Sequence, residues 1–289
     1  MFYNLSNDEL CVRACKTGAS LVSIKRHDQE YLKSSFDILE GWTFNLFPII
    51  SRLNQGEYTY QGNTYKMARN GFLHNIVFDK VIHKKGCLSF ELKYNDYTLK
   101  MYPFKFLLQV VYKLIHNTIQ ITYKVSNLDN KPIYFSIGAK PGFKVPLSKR
   151  IKFRDYHIEF EDIDCITKLE LDSSYFLNGK SKIYQLDQDK TLPLKNKLFD
   201  NGALILANAS KAISLKSDYD TKSIKLSCPD MSYISLWKKP KNISPYLCLE
   251  VWAGLPSYNY KIDDIQTKKG IICLGVNQQY TNNWSIEIE

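Results

Sequence analysis

In the stretch Tyr246-Leu-Cys-Leu-Glu250-Val-Trp252-Ala-Gly254-Leu-Pro256, one carboxylate interrupts an otherwise apolar run. Burial penalises a carboxylate's charged form, so a Glu taken out of water is pushed towards a pKa at which it can accept and return a proton near neutrality. Trp252 supplies a flat apolar surface of the kind on which sugar rings stack. Periodicity alone favours a plainer arrangement, an outward-facing strand Glu beside a core Trp. Other chemistries find little support. There is no G-x-G-x-x-G, no phosphate-binding P-loop, no G-x-S-x-G elbow and no H-E-x-x-H helix. The five histidines, His27, His74, His83, His116 and His157, have no Cys or His partner at metal-ligand spacing, so no metal site is expected. The acidic run Glu159-Phe-Glu161-Asp162-Ile-Asp164 lacks the glycine and terminal Glu of a calcium loop and reads as a solvated strand edge.

The elements that must position these residues are strands. Apolar side chains fall at positions 88, 90, 92 and 94, again at 119, 121, 123 and 125, and at 286 and 288. That two-residue period sends one set of side chains to a core and the other to water or an opposing sheet. Turn signals such as Gln61-Gly62-Asn63, Asn95-Asp96 and Asn178-Gly179 separate the runs. Helical signals are confined to residues 36–42 and 103–108, each good for a turn or two beside Gly or Pro. Strand after strand without long intervening helices predicts an all-β, antiparallel sandwich forming one domain over residues 1–289.

Composition sets the outer bounds. The 289 residues are 44% hydrophobic and include 20 Tyr, 15 Phe and 4 Trp, enough for a sizeable core and suited to pleated surfaces. A balance of 39 Lys+Arg against 29 Asp+Glu gives +10. The basic residues come in short groups, Lys84-Lys85, Lys238-Lys239 and Lys268-Lys269, separated by carboxylates, so a solvated basic surface is expected rather than a nucleic-acid footprint. Seven cysteines without a C-x-x-C pair point to reduced thiols, and the N-terminal residues lack a basic segment followed by an apolar one. Apolar stretches are broken by charge before reaching membrane-spanning length. A cytoplasmic protein that engages neither nucleic acid nor membrane is the expectation.

Beyond these patterns the chain resembles the aldose 1-epimerase (galactose mutarotase-like) superfamily, in particular its short bacterial mutarotase-related branch. The resemblance rests on Gly18-Ala-Ser-Leu-Val-Ser-Ile24, Asn45-Leu-Phe-Pro-Ile-Ile-Ser-Arg52-Leu, Asn70-Gly-Phe72, Tyr102-Pro-Phe104, Phe135-Ser-Ile-Gly-Ala-Lys-Pro-Gly-Phe143, Leu236-Trp-Lys-Lys-Pro240 and the Glu250 segment, in family order along nearly the whole chain. It implies a β-supersandwich with a sugar cleft across one sheet, no cofactor, and exchange of the α and β anomers of free aldoses. In the family a Glu takes the proton of the C1 hydroxyl and a His protonates the ring oxygen.

Carried over position by position, the resemblance makes Glu250 the base and Arg52 a ligand of sugar hydroxyls, with Phe72 and Trp252 also at the substrate. Both family histidines are replaced, H-G-F by Asn70-Gly71-Phe72 and the second by Lys140 in Gly138-Ala-Lys-Pro-Gly-Phe143. Gly202 stands where relatives usually carry Asp, with Asp200 nearby as a partial substitute. Asn70 can hold a hydroxyl but cannot act as an acid, and a positioned acid or base is worth about a hundredfold to ten-thousandfold. Lys140, if burial beside Arg52 favours its neutral form, or His74 would have to supply the proton. Two readings follow: an aldose epimerase with an altered acid, or a non-catalytic binder of an aldohexose or a phosphorylated sugar, the latter suggested by Lys140, Arg69 and Lys144. Nucleic-acid binding driven by net charge ranks last.

Overall fold

Antiparallel ladders dominate the computed structural model, which describes residues 1–33, 43–161, 163–186, 188–208 and 210–289. Among the described residues, nine strands form one sheet in the order Thr191–Pro193, His157–Phe160, Ala212–Ser217, Asp220–Ser227, Gln279–Ile288, Thr118–Asn127, Phe106–Ile115, Cys87–Lys93 and Lys80–Lys84. A second sheet runs Leu177–Gln185, Cys165–Leu171, Leu204–Ala207, Tyr233–Trp237, Tyr246–Ala253, Ile137–Lys140 and Phe44–Leu46. Gly142–Lys144 also pairs with the first half of the Tyr246–Ala253 strand.

The expected alternation builds the core between them. Leu88, Phe90 and Leu92 point inward from one strand, and Ile119, Ile121, Tyr123 and Val125 from another. From the second sheet Leu204, Leu206, Ile234, Leu236, Leu247, Leu249 and Val251 join the same cluster, which draws on residues from Leu5 to Ile288. Side chains of one pleated face thus exclude water from both sheets at once.

One polar group crosses this core. Asn45, on the short edge strand of the second sheet, donates from Nδ2 to the Gly18 and Ala19 carbonyls and to the Tyr112 hydroxyl, 2.9 Å away. Its Oδ1 accepts from the Tyr123 hydroxyl at 2.7 Å. Both tyrosines belong to the nine-stranded sheet, so a fully buried amide ties the two layers together with its donors and acceptor used.

Residues 103–108 differ from expectation. They are not helical: Phe106 opens the ten-residue Phe106–Ile115 strand, whose inward side chains at 106, 108, 110 and 112 obey the two-residue period. The helix lies just before, at Asp96–Met101, where the Asn95 side chain accepts from the Thr98 amide and the Thr98 hydroxyl accepts from the Asn95 amide. Residues 36–42 lie outside the described residues. In the acidic run, Glu159 pairs with Lys216 at 3.0 Å, Glu161 with Lys225, and Asp164 with Lys190 at 3.6 Å, the charged strand edge that its sequence suggests. All seven cysteines are free thiols. No described helix is long and apolar enough to cross a membrane.

Candidate functional site

The Tyr246–Ala253 strand lies inside the second sheet and is buried at all eight positions. Its odd-numbered side chains enter the main core, so Tyr246, Cys248, Glu250 and Trp252 face the sheet's other side. Cross-strand register fixes what flanks the carboxylate. Leu169 lies opposite Ile205, Ile205 opposite Ser235, and Ser235 opposite Glu250, giving one row across four strands. On the far side, Gly138 pairs with Trp252 and Ala139 with Val251, which brings Lys140 alongside Glu250. Gly138 is required for that approach, because a Cβ there would lie 2.5 Å from the Val251 carbonyl oxygen and 3.1 Å from the Trp252 ring.

Lys140 Nζ donates to Glu250 Oε1 at 2.7 Å. The two residues are only 7% and 3% exposed. The same ammonium sits 3.7 Å from the centroid of the Trp237 ring, whose face attracts a cation. Glu250 is therefore buried, not outward-facing as periodicity alone favours, because its strand is covered on both faces, and it is not alone. Its neighbour neutralises it, which is what makes a carboxylate tolerable at that depth. Lys140 and Arg52 line the same cavity, and the partner bonded to the ammonium is Glu250.

Lys140, Glu250, Trp237 and Trp252 line a cavity of about 120 Å³, together with Arg52, Asn70 and others. Trp252 is 3% exposed, and its Nε1 has no hydrogen-bond partner. Arg52 donates from Nη1 to the Ser174 carbonyl at 2.9 Å and lies against the rings of Tyr175 and Phe176. Its pKa is lowered, first by burial and then by the charge of Arg69, which also lines the cavity. Asn70 is held in a left-handed turn, φ +65°. Its amide donates to the Ser51 carbonyl at 2.6 Å and its Oδ1 accepts from the Ser51 amide at 2.9 Å. The side-chain carbonyl is committed to backbone, which leaves Nδ2 as the donor end of Asn70.

Two expected site residues are not brought to this cavity. Phe72 is 4% exposed and packs edge-on to Phe47 inside the main core. His74 lies in the helical turn Leu73–Asn75, its ring edge-on to Phe44, with Nε2 3.1 Å from Asn75 Nδ2. Burial lowers its pKa, away from the charged form an acid needs. The cause of both displacements is the turn itself. Asn70 and Gly71 both have positive φ, and Gly71 passes so close to Phe47 that a Cβ would lie 2.1 Å from its carbonyl oxygen. The chain therefore leaves the cavity immediately after Asn70.

Gly202 does line the cavity, and a Cβ there would lie 2.5 Å from the Tyr175 ring. An aromatic wall thus fills the space in which position 202 would otherwise present a side chain. Asp200 lines instead a neighbouring cavity of about 530 Å³, which shares Tyr175 and Gly202 with the first. Tyr175 was not legible as a site residue: it sits in the turn closed by the Tyr175 amide donating to the Asp172 carbonyl, with φ +65°, and no motif marks it. Among the described residues no group of His, Cys, Asp or Glu is placed to hold a metal ion. What the arrangement offers is a carboxylate, an ammonium and hydrogen-bond donors around a buried indole.

Comparison with known proteins bears on the chain's family and fold. The family model described as aldose 1-epimerase matches residues 1–262. The chromosomal protein LacX of Lactococcus lactis subsp. lactis is 30% identical over 265 residues, 88% of each chain. Among solved structures, a galactose mutarotase related enzyme from Lactobacillus acidophilus superposes with a TM-score of 0.94 at 26% identity, covering 100% of this chain and 97% of that one. A galactose mutarotase-like protein from Lactobacillus casei ATCC 334 gives 0.92 at 27% identity over 100% of both chains.

Proposed function

The chain belongs to the aldose 1-epimerase family, and from that premise we propose that it binds an aldohexose pyranose, neutral or phosphorylated, and exchanges its anomers in the cytoplasm with Glu250 as base and Lys140 as acid. The observation that carries this is the 2.7 Å contact between the two side chains on the cavity wall. A cyclic hemiacetal bears its hydroxyl and its ring oxygen on one carbon. A base and an acid that serve both oxygens must therefore be neighbours themselves, as Glu250 and Lys140 are.

The step balances without a cofactor. Glu250 takes the proton from the C1 hydroxyl while Lys140 gives one to the ring oxygen; the C1–ring oxygen bond breaks and C1 becomes an aldehyde. Rotation about C1–C2 turns the other face of the carbonyl to the new hydroxyl. Reclosure returns one proton to Lys140 and delivers the other from Glu250, so both groups end as they began. The ion pair holds the two protonation states the first step needs, a carboxylate and an ammonium. Trp252 supplies the face on which the ring lies, while Arg52 and the Asn70 amide donate to the ligand's other oxygens and so keep the hemiacetal at the pair.

A second reading, a binder without catalysis, draws on the same contact. An ammonium already engaged by Glu250 and Trp237 must give up buried interactions before it meets a sugar. One experiment separates the two. Anomer exchange of glucose and galactose, followed by NMR saturation transfer at substoichiometric protein, is expected to exceed the buffer rate and to return to it in Glu250→Gln. Binding by calorimetry with exchange equal to buffer would leave the binder and remove the epimerase.

A further inference from the structure

The charges around the cavity do not balance. Arg52, Arg69 and Lys140 line it against one carboxylate, Glu250, and that carboxylate is committed to Lys140. Two guanidinium groups remain. Among the described residues neither has a carboxylate within ion-pair distance. Asp172, whose charge reaches Arg52, is occupied: Oδ1 accepts from the Ser174 and Phe176 amides and Oδ2 from Asn259. Asp172 does favour the charged form of Arg52, but less than Arg69 disfavours it.

Two like charges brought together, with Arg52 partly buried and Arg69 exposed at the cavity's edge, are unfavourable unless something of opposite sign joins them. The surroundings are built to hold the groups in place rather than to neutralise them. Arg52 is fixed by the Ser174 carbonyl and by the rings of Tyr175 and Phe176. At position 202, beside them, glycine offers no side chain, and the Tyr175 ring fills the space.

We infer that the natural ligand is an aldose bearing an anionic group, a phosphate or a carboxylate, gripped by Arg52 and Arg69 while its hemiacetal lies at Glu250 and Lys140. The inference rests on the sugar-site reading above and adds the substrate class. Planar guanidinium forks match the oxygens of either anion, two donors to two acceptors. A neutral hexose would leave the two cations without a counter-charge, so the site discriminates against it.

Calorimetry with D-glucose, D-glucose 6-phosphate and D-glucuronate tests this, alongside NMR anomer exchange of the same three. At least one charged sugar is expected to bind about tenfold to a hundredfold more tightly than glucose. The advantage should shrink with added NaCl and disappear in Arg69→Ala, whose exposed position leaves the fold intact. Preference for the phosphate over the uronate, or the reverse, identifies the anion. Equal affinities for all three, no binding of any, or a charged-sugar advantage that survives in Arg69→Ala overturns the inference. Its failure is separable from that of the catalytic reading. Exchange accelerated equally for glucose and the charged sugars retains the epimerase and removes the anion specificity; tight charged-sugar binding without accelerated exchange does the opposite.

Discussion

Glu250 stood out because a charge inside an apolar run must be accounted for, and the account lies 110 residues away along the chain, in Lys140. No local pattern could have joined them; only the antiparallel register of two strands does so. The carry-over from Asn70 to its chain neighbours failed for the converse reason. Phe72 and His74 are close in sequence, but two consecutive positive-φ residues turn them away. Two outcomes follow at this scale. Glu250→Gln is expected to lower any exchange activity by about a hundredfold or more while preserving the fold, as initial rates with circular dichroism will show. Lys140→Met strands a buried carboxylate and should cost about 3–5 kcal/mol in urea unfolding, most of it recovered when Glu250→Leu is added to the same chain.

At the scale of elements, the strands with one wet face were legible and those with two dry faces were not. Cys87–Lys93 and Thr118–Asn127 advertise their inward positions by alternation. Tyr246–Ala253, covered on both sides, reads as an undifferentiated apolar run. The loop that follows it carries its own titratable support. Lys268 Nζ donates to the Leu255 carbonyl at 2.6 Å, next to the cavity-lining Pro256, with Asp263 Oδ2 4.0 Å away and Lys261 beyond it. Burial lowers the Lys268 pKa to about 8. The folded state then binds fewer protons than the unfolded chain between about pH 8 and the ordinary lysine value, so stability rises with pH across that window. Measured against Lys268→Met, which cancels the other titrations, wild type should gain about 3 kcal/mol over the window in pH-dependent denaturation. Gly71→Ala tests the turn that presents Asn70. A Cβ 2.1 Å from the Phe47 oxygen, added at φ +73°, should cost at least about 2 kcal/mol by the same assay.

For the whole molecule, the all-β architecture was readable from period and turn signals, whereas the way the two sheets are fastened was not. Asn45 lies in a segment of otherwise apolar character, and nothing in its neighbours announces that Tyr112 and Tyr123 will meet it from the opposite layer. Tyr123→Phe removes the donor to Asn45 Oδ1 and leaves a buried acceptor unsatisfied. A loss of about 1–3 kcal/mol in thermal or urea unfolding is expected. The same amide has an effect that stability measurements miss. Its strand, Phe44–Leu46, is three residues long, and sliding it by one position would drive the amide to the sheet's other side and a phenyl ring into the interior. Asn45 works as a key cut for a single lock: it disallows every misaligned pairing of the strand that lies beside Lys140. A leucine in its place would be welcome to the surrounding hydrocarbon, yet it would let the margin of the sheet settle in more than one alignment, and the Lys140–Glu250 pair would lose its fixed neighbour.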